Sequence, residues 1–263
     1  AGVAHGHVGS ASAMFPLQRL GAEVWAVHTV QFSNHPGHGQ FRGGVLPSGL
    51  IRDCVDGIGA LGALARCDAV LSGYVGDAET GAAILDAALR VKAANPRALW
   101  CCDPVMGDDG PGIYVRAGIP EFFRDRALPA ADIATPNRFE LEWLTGGPIG
   151  TLAAARDAIA RLQAIGPRCV LAVDLLAAED GALWRVRTPL LPVRVSGAGD
   201  AIAALFLFHR LATGSARAAL ERAAAAIHGV LRRTAEAGSR EILLVAAQQE
   251  IVTPSRHFVA DAC

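Results

Sequence analysis

Ser196-Gly197-Ala198-Gly199-Asp200 runs straight into the apolar stretch Ala201-Ile202-Ala203-Ala204-Leu205-Phe206. The pattern reads as a glycine turn opening a helix, with one carboxylate in the first turn. A helix start presents unpaired N–H groups and the positive end of the helix dipole. Two glycines let that backbone approach an anion closely. The segment is therefore shaped for phosphate. A carboxylate in a phosphate cradle repels its ligand unless it does chemistry there, and the chemistry open to it is to take a proton from an attacking hydroxyl. Phosphoryl transfer to an alcohol fits. Two plainer readings stand beside it. A dinucleotide turn of the G-x-G-x-x-G type fails, because its third glycine falls on Ile202. Asp200 as a simple helix-start charge contributes about 0.3–1 kcal/mol and needs no substrate.

The basic residues narrow the phosphate chemistry. Lys92 is the only lysine among 24 Lys and Arg residues. A P-loop needs a lysine after its glycines, and a protein-kinase fold needs one on a strand beyond its glycine loop. Lys92 lies in Val91-Lys92-Ala93-Ala94-Asn95-Pro96, near a helix end, where it reads as a solvated cation. Phosphate charge must then be met by arginine, a metal ion and helix N-termini. Net charge is −1, so nothing favours nucleic acid as a partner. The longest fully apolar run, 201–208, falls far short of the roughly 20 residues that span a bilayer, and no membrane is expected. The six cysteines form no C-x-x-C pair, which disfavours metal binding by cysteine and a disulfide framework and favours a reducing, cytoplasmic setting.

With 263 residues, 52% of them hydrophobic, the chain can bury a sizeable core. Strand-like apolar runs at 23–31, 68–73, 98–104, 131–136 and 168–173, with weaker ones at 183–187 and 242–246, alternate with helical patterns at 11–20, 47–64, 78–94, 138–144, 152–165, 200–211 and 216–234. Such alternation predicts an α/β fold, with a mostly parallel central sheet and helices on both faces. No Pro/Gly/Ser-rich linker divides the chain, so 1–263 reads as a single domain. Several strand runs end in polar residues: Gly73-Tyr74, Asp103-Pro104 and Thr135-Pro136-Asn137. Open α/β sheets bind ligands beyond the carboxyl ends of their strands, which places these residues and Asp200 along one cleft.

Six segments in order, covering nearly the whole chain, then carry a resemblance: Phe15-Pro16-Leu17-Gln18-Arg19-Leu20-Gly21, Val30-Gln31-Phe32-Ser33-Asn34-His35, Leu71-Ser72-Gly73-Tyr74, Cys102-Asp103-Pro104-Val105-Met106-Gly107, Thr135-Pro136-Asn137-Arg138-Phe139-Glu140 and Gly197-Ala198-Gly199-Asp200. The chain resembles bacterial pyridoxal kinases of the ribokinase superfamily. The resemblance implies a ribokinase-like domain that phosphorylates the 5′-hydroxymethyl group of pyridoxal with ATP. It gives Asp200 the role of general base and makes Gly197, Ala198 and Gly199 the anion hole. Asp103, Thr135, Asn137 and Glu140 become the nucleotide side, with Asp103 and Glu140 toward Mg²⁺. Phe32, His35 and Tyr74 frame the pyridine ring. K⁺ as an accessory ion and a homodimer also follow from it.

Each residue keeps a plainer reading. Phe32 at a strand end packs in a core; His35 sits in a turn sequence; Tyr74 is a core aromatic. Asp103 before Pro104 initiates a turn, and Glu140, three residues after Asn137, completes a capping box. The chain also departs from the family pattern. Ala1 stands where a serine contacts the ring, Pro36 stands in place of a threonine, and His5 in place of a tyrosine. Each change removes or alters a possible hydrogen bond, worth about 0.5–1.5 kcal/mol. These departures keep open a hydroxymethylpyrimidine kinase and a non-catalytic binder of pyridoxal or its phosphate. Against the family length, a first strand is expected before Ala1, and a mobile nucleotide loop between Val173 and Asp174.

Overall fold

The computed structural model describes residues 1–172 and 175–263. The expected loop between Val173 and Asp174 lies outside the described residues. The first half of the chain forms β1 (Gly2–Val3), α1 (Ser10–Arg19), β2 (Val30–Phe32), β3 (Gly43–Val45), α2 (Ser48–Ala60), β4 (Ala69–Ser72), α3 (Ala78–Ala94), β5 (Leu99–Cys102), β6 (Gly107–Asp108), β7 (Gly112–Ile113) and α4 (Ile119–Phe122). The second half forms β8 (Ile133–Ala134), α5 (Arg138–Thr145), α6 (Leu152–Ile165), β9 (Cys169–Ala172), β10 (Leu176–Glu179), β11 (Ala182–Arg185), α7 (Ala198–Thr213), α8 (Ala216–Glu236), α9 (Gln248–Val252) and β12 (Asp261–Ala262).

The main sheet runs β12-β11-β10-β9-β8-β5-β4. Its β4, β5, β8 and β9 are parallel, as the strand–helix alternation predicts, and β10 to β12 add an antiparallel edge. Period-two patterning sorts the strand side chains between two cores. Trp100, Cys102, Ala134, Val170 and Ala172 point into one, under α3, α5 and α6. Cys101, Ile133, Cys169 and Leu171 point into the other, under α7 and α8. Helices therefore cover both faces. α7 is apolar nearly all round because it packs against α1 as well as α8. Among the described residues no helix is long and apolar enough to cross a membrane.

The structure corrects the reading of two strand runs. The run 242–246 is not a strand. Ile242 and Leu244 are fully buried, but the backbone closes a helical turn, with the Ala247 N–H donating to the Leu243 carbonyl at 2.8 Å. A short apolar run does not distinguish strand from buried turn. The run 23–31 yields a strand only at β2. Residues 22–27 lie across a cavity of about 850 Å³ from β4, whose outer edge has no strand partner among the described residues. Without a neighbour at ladder distance the apolar pattern makes no strand there. Much of the cavity wall is apolar: Ala203, Leu207 and Leu211 from α7, Ile51 and Ile58 from α2, and Ile84 and Val91 from α3. The small sheet β1-β2-β3 stands beyond it, with β1 parallel to β2.

Candidate active site

The carboxyl ends of β4, β5 and β8 lie side by side. Ser72 pairs with Cys102 and Cys102 with Ala134, so Gly73, Asp103 and Thr135 emerge from the sheet in register. The Asp103 N–H donates to the Ser72 carbonyl at 2.8 Å, and the Thr135 N–H donates to the Cys102 carbonyl at 3.1 Å. The polar strand ends seen in the sequence are thereby brought to one place. Asp103, Tyr74 and Asp200 line the mouth of the same cavity.

Asp200 lies in the first turn of α7, which begins two residues earlier than the pattern 200–211 predicts. Gly197 caps the helix with φ 88°, so Ala198, Gly199 and Asp200 occupy its first turn, where N–H groups have no helical acceptor. Neighbouring chain fixes this turn. Ser12 Oγ donates to the Gly197 carbonyl at 2.7 Å. A Cβ on Gly197 would collide with the His7 carbonyl, whereas one on Gly199 would meet open space. The Gly9 N–H donates to Asp200 Oδ2 at 2.8 Å, which fixes the carboxylate's direction. Burial pushes the Asp200 carboxyl above its usual range, and the Gly9 hydrogen bond partly offsets the shift. A carboxylate raised this way is a better base than an ordinary one.

Two further carboxylates face the same space. Asp103 is 8% exposed and Glu140 is 2% exposed. Burial raises Asp103 well above the carboxylate range, and repulsion from Glu140 and Asp200 adds to it. Burial pushes Glu140 up to about 7 despite its backbone hydrogen bonds. Glu140 completes the capping box of α5: Oε2 accepts the Asn137 N–H at 2.9 Å, and Asn137 Oδ1 accepts the Glu140 N–H at 2.9 Å. Its Oε1 accepts the Met106 N–H at 3.0 Å. Asn137 Nδ2 donates to the Gly107 carbonyl at 2.8 Å and so ties the β6–β7 hairpin to the start of α5. The structural reading of Glu140 and Asn137 is thus fulfilled, and it leaves further lone pairs for a second role.

These buried, mutually repelling oxygen donors suit a hard divalent cation. Among the described residues no three His, Cys, Asp or Glu side chains form a self-contained metal cage. Divalent ions bound with a nucleotide are usually held by one or two carboxylates together with substrate phosphates and waters. Thr135 Oγ1 is buried beside the Asp103 carboxyl, and its hydroxyl partly offsets the upward shift there.

The residues expected at the ring lie at the end of β2, in the turn after it and at the end of β4. Phe32 ends β2 and meets Phe41 edge-on, with centroids 5.0 Å apart. His35 caps the 36–38 turn, its Nδ1 accepting the Gly37 N–H at 3.2 Å. That bond leaves the proton of neutral imidazole on Nε2, where it donates. Burial lowers the His35 pKa, with His38 adding to the shift and Asp200 and Glu241 opposing it. The Tyr74 carbonyl accepts from Thr29 Oγ1 at 3.3 Å, which joins β2 to the end of β4. Of the departures, Pro36 occupies the first position of its turn, where proline fits, and the Ala1 carbonyl accepts the Ser10 N–H at 2.7 Å.

Sequence reasoning missed Tyr114. Half of it is exposed, yet its hydroxyl is raised above the usual phenol range by burial and by Glu140, Asp103, Asp108 and Asp200. The signal was the hairpin: β6 and β7 fold it back over the carboxylates from a stretch with no periodicity.

A buried, oriented aspartate, helix-start N–H groups and carboxylates at the parallel-strand ends describe a kinase of ribokinase-like fold. Comparison with known proteins agrees. Residues 48–244 match the family model described as phosphomethylpyrimidine kinase. A pyridoxal kinase PdxY of Granulibacter bethesdensis is 58% identical over 277 residues, covering 99% of this chain and 97% of that one. A pyridoxal kinase PdxY of Rubrobacter xylanophilus is 51% identical over 269 residues, covering 97% and 93%. The solved pyridoxal kinase of Leishmania donovani in complex with ADP and pyridoxamine matches with a TM-score of 0.91 at 27% identity, over 100% of this chain and 97% of that one. The chain belongs to the phosphomethylpyrimidine kinase family, and within it to the pyridoxal kinases.

Proposed function

We propose that this protein transfers the γ-phosphoryl group of ATP to the 5′-hydroxymethyl group of pyridoxal, with Asp200 as general base. The observation that carries the assignment is the placement of Asp200. Its carboxylate is oriented by the Gly9 N–H in the same helix turn whose N–H groups point at the space where a phosphoryl group would sit. Asp200 takes the hydroxyl proton as the oxygen attacks phosphorus in line, and the N–H groups of Gly197, Ala198 and Gly199 receive the charge spread over the phosphoryl oxygens. Asp103 and Glu140 would hold Mg²⁺ with the nucleotide, largely through water. When bound with the nucleotide, the metal ion neutralises phosphate charge. Thr135 Oγ1 and Asn137 stand beside the phosphates. Phe32 and Tyr74 frame the ring, and His35 Nε2–H donates to it.

The name of the family model keeps a hydroxymethylpyrimidine substrate in view, and the pyridoxal kinases among the relatives favour pyridoxal. A coupled assay with Mg-ATP and each alcohol separates them. Turnover of pyridoxal over the pyrimidine is expected, and the reverse preference would overturn the substrate. A carrier would show neither turnover nor Mg-ATP binding. K⁺ belongs to the same reading as an activator, and assays in K⁺ against Na⁺ buffer test it.

A reducing, cytoplasmic setting is supported by six free cysteines. A homodimer follows the family, and light scattering giving the mass of two chains would bear it out. The apolar cavity between 22–27 and β4 takes one further strand in this reading.

A further inference from the structure

Glu241 lies outside the site described above, yet it touches the loops that build it. Its backbone is a fixed pedestal. The neighbouring Ile242 and Leu244 are fully buried. Ser239 Oγ donates to the Glu241 carbonyl at 2.7 Å and accepts its N–H at 3.1 Å, and the Leu243 N–H donates to Thr234 Oγ1 at 3.1 Å. From there the carboxylate reaches two loops. Oε1 lies 3.0 Å from His38 Nε2 in the 36–38 turn. Oε2 lies against Gly6, where a Cβ would stand only 2.9 Å away. Gly6 has φ 89°, so glycine suits that position twice over.

Both loops lead directly to the reacting groups. The loop of Gly6 ends at Gly9, whose N–H orients Asp200. The turn of His38 begins at His35, the proposed donor to the ring, and the two imidazoles meet edge-on with centroids 6.3 Å apart. The turn itself is a single one, closed by the His38 N–H on the His35 carbonyl at 3.1 Å and the Gly39 N–H on the Pro36 carbonyl at 3.0 Å. Most of 36–44 is exposed, so little packing holds it down.

We propose that Glu241 is a positioning residue for the alcohol substrate: it tethers the 35–38 turn, through His38, to the loop that orients the base. The proposal rests on the reading of Phe32, His35 and Tyr74 as the ring frame. Glu241 touches neither substrate nor nucleotide. Its effect therefore belongs to the binding of the ring and not to the chemical step or to ATP. The His38–Glu241 pair is partly exposed, so its effect is modest, about two- to fivefold.

The test compares Glu241→Ala, Glu241→Gln, His38→Ala and the double alanine variant by steady-state kinetics, varying pyridoxal and Mg-ATP separately, and by hydrogen exchange across 33–42. Glu241→Ala should raise KM for pyridoxal about two- to fivefold, leave kcat and KM for ATP nearly unchanged, and speed exchange at His38 and Gly39. Gln accepts from His38 Nε2–H and should restore most of the loss. The double variant should be no worse than either single one. Unchanged exchange and KM, equal effects on both substrates, or additive single effects would each overturn the tether. Absence of wild-type turnover would instead refute pyridoxal as the substrate, and the exchange comparison would then decide the tether by itself.

Discussion

Asp103, Glu140 and Asp200 carry their charge in a place that penalises it, and the penalty has a sign. A carboxyl whose folded pKa lies above its unfolded value takes up protons on folding. Stability is then lost as pH rises from the unfolded value through the folded one. Asp103 and Glu140 both shift upward, Glu140 to about 7. Asp103→Asn removes one of the repelling charges. It should therefore raise Tm more at about pH 8 than at about pH 5, by roughly 2–4 °C for each kcal/mol relieved, while turnover collapses. Thermal scans at the two pH values check this, and a fall in Tm at the higher pH would contradict it. At this scale the sequence was informative where chemistry is local. Asp200 follows its glycines directly, and Asn137 with Glu140 forms a capping box within one turn. Tyr114 was not legible, because the β6–β7 hairpin brings it toward the carboxylates from a stretch without periodicity, and the His38–Glu241 contact beside the site is made by loop packing alone.

The start of α7 sets the geometry of the proposed anion hole, and its two glycines do different things. Gly197 is required by conformation, with φ 88° and the His7 carbonyl where a Cβ would go. Gly199 has open space beside it and helical backbone, so the fold does not require glycine there. Gly199→Ala should stabilise the helix by about 0.5–1 kcal/mol, yet lower turnover, because the methyl group enters the space kept for phosphate. Gly197→Ala should cost about 1–3 kcal/mol as well as activity. Melting curves and kcat for the two variants separate these roles, and a Gly199→Ala enzyme with full turnover would remove Gly199 from the anion hole. Elements were legible where the period is long, as in α3, α6 and α8. Of the β10–β11 hairpin only β11 was anticipated, by the run 183–187, although the signal for the whole is in the chain: Asp180-Gly181 turns with both φ values positive, the residue pair such a turn favours. The runs at 23–31 and 242–246 misled for another reason. A strand depends on its neighbour as much as on its own pattern, and the neighbour is not written locally.

Across the whole molecule, two cores on either side of one sheet explain why the strand ends are held firmly enough to align Asp103, Thr135 and Asp200. The alternation of strands and helices made that architecture legible, and the parallel register made the site legible with it. The apolar slot beside β4 was foreshadowed only by comparison with the family pattern. If one more strand fills it, amides at 69–72 and 24–29 should exchange much more slowly in a chain carrying an apolar strand ahead of Gly2 than in the chain described. Equal exchange would show that the slot is not a strand site.

The central claim is that Asp200 takes the proton from the alcohol while the start of α7 holds the transferring group. The most direct measurement is single-turnover phosphorylation of pyridoxal by Mg-ATP, with Asp200→Ala beside the wild type and pyridoxal binding measured in parallel. A positioned base contributes about 10²–10⁴-fold, so the variant should lose that much rate and still bind pyridoxal. A loss smaller than tenfold, with binding intact, would contradict the account and remove Asp200 from the role of base.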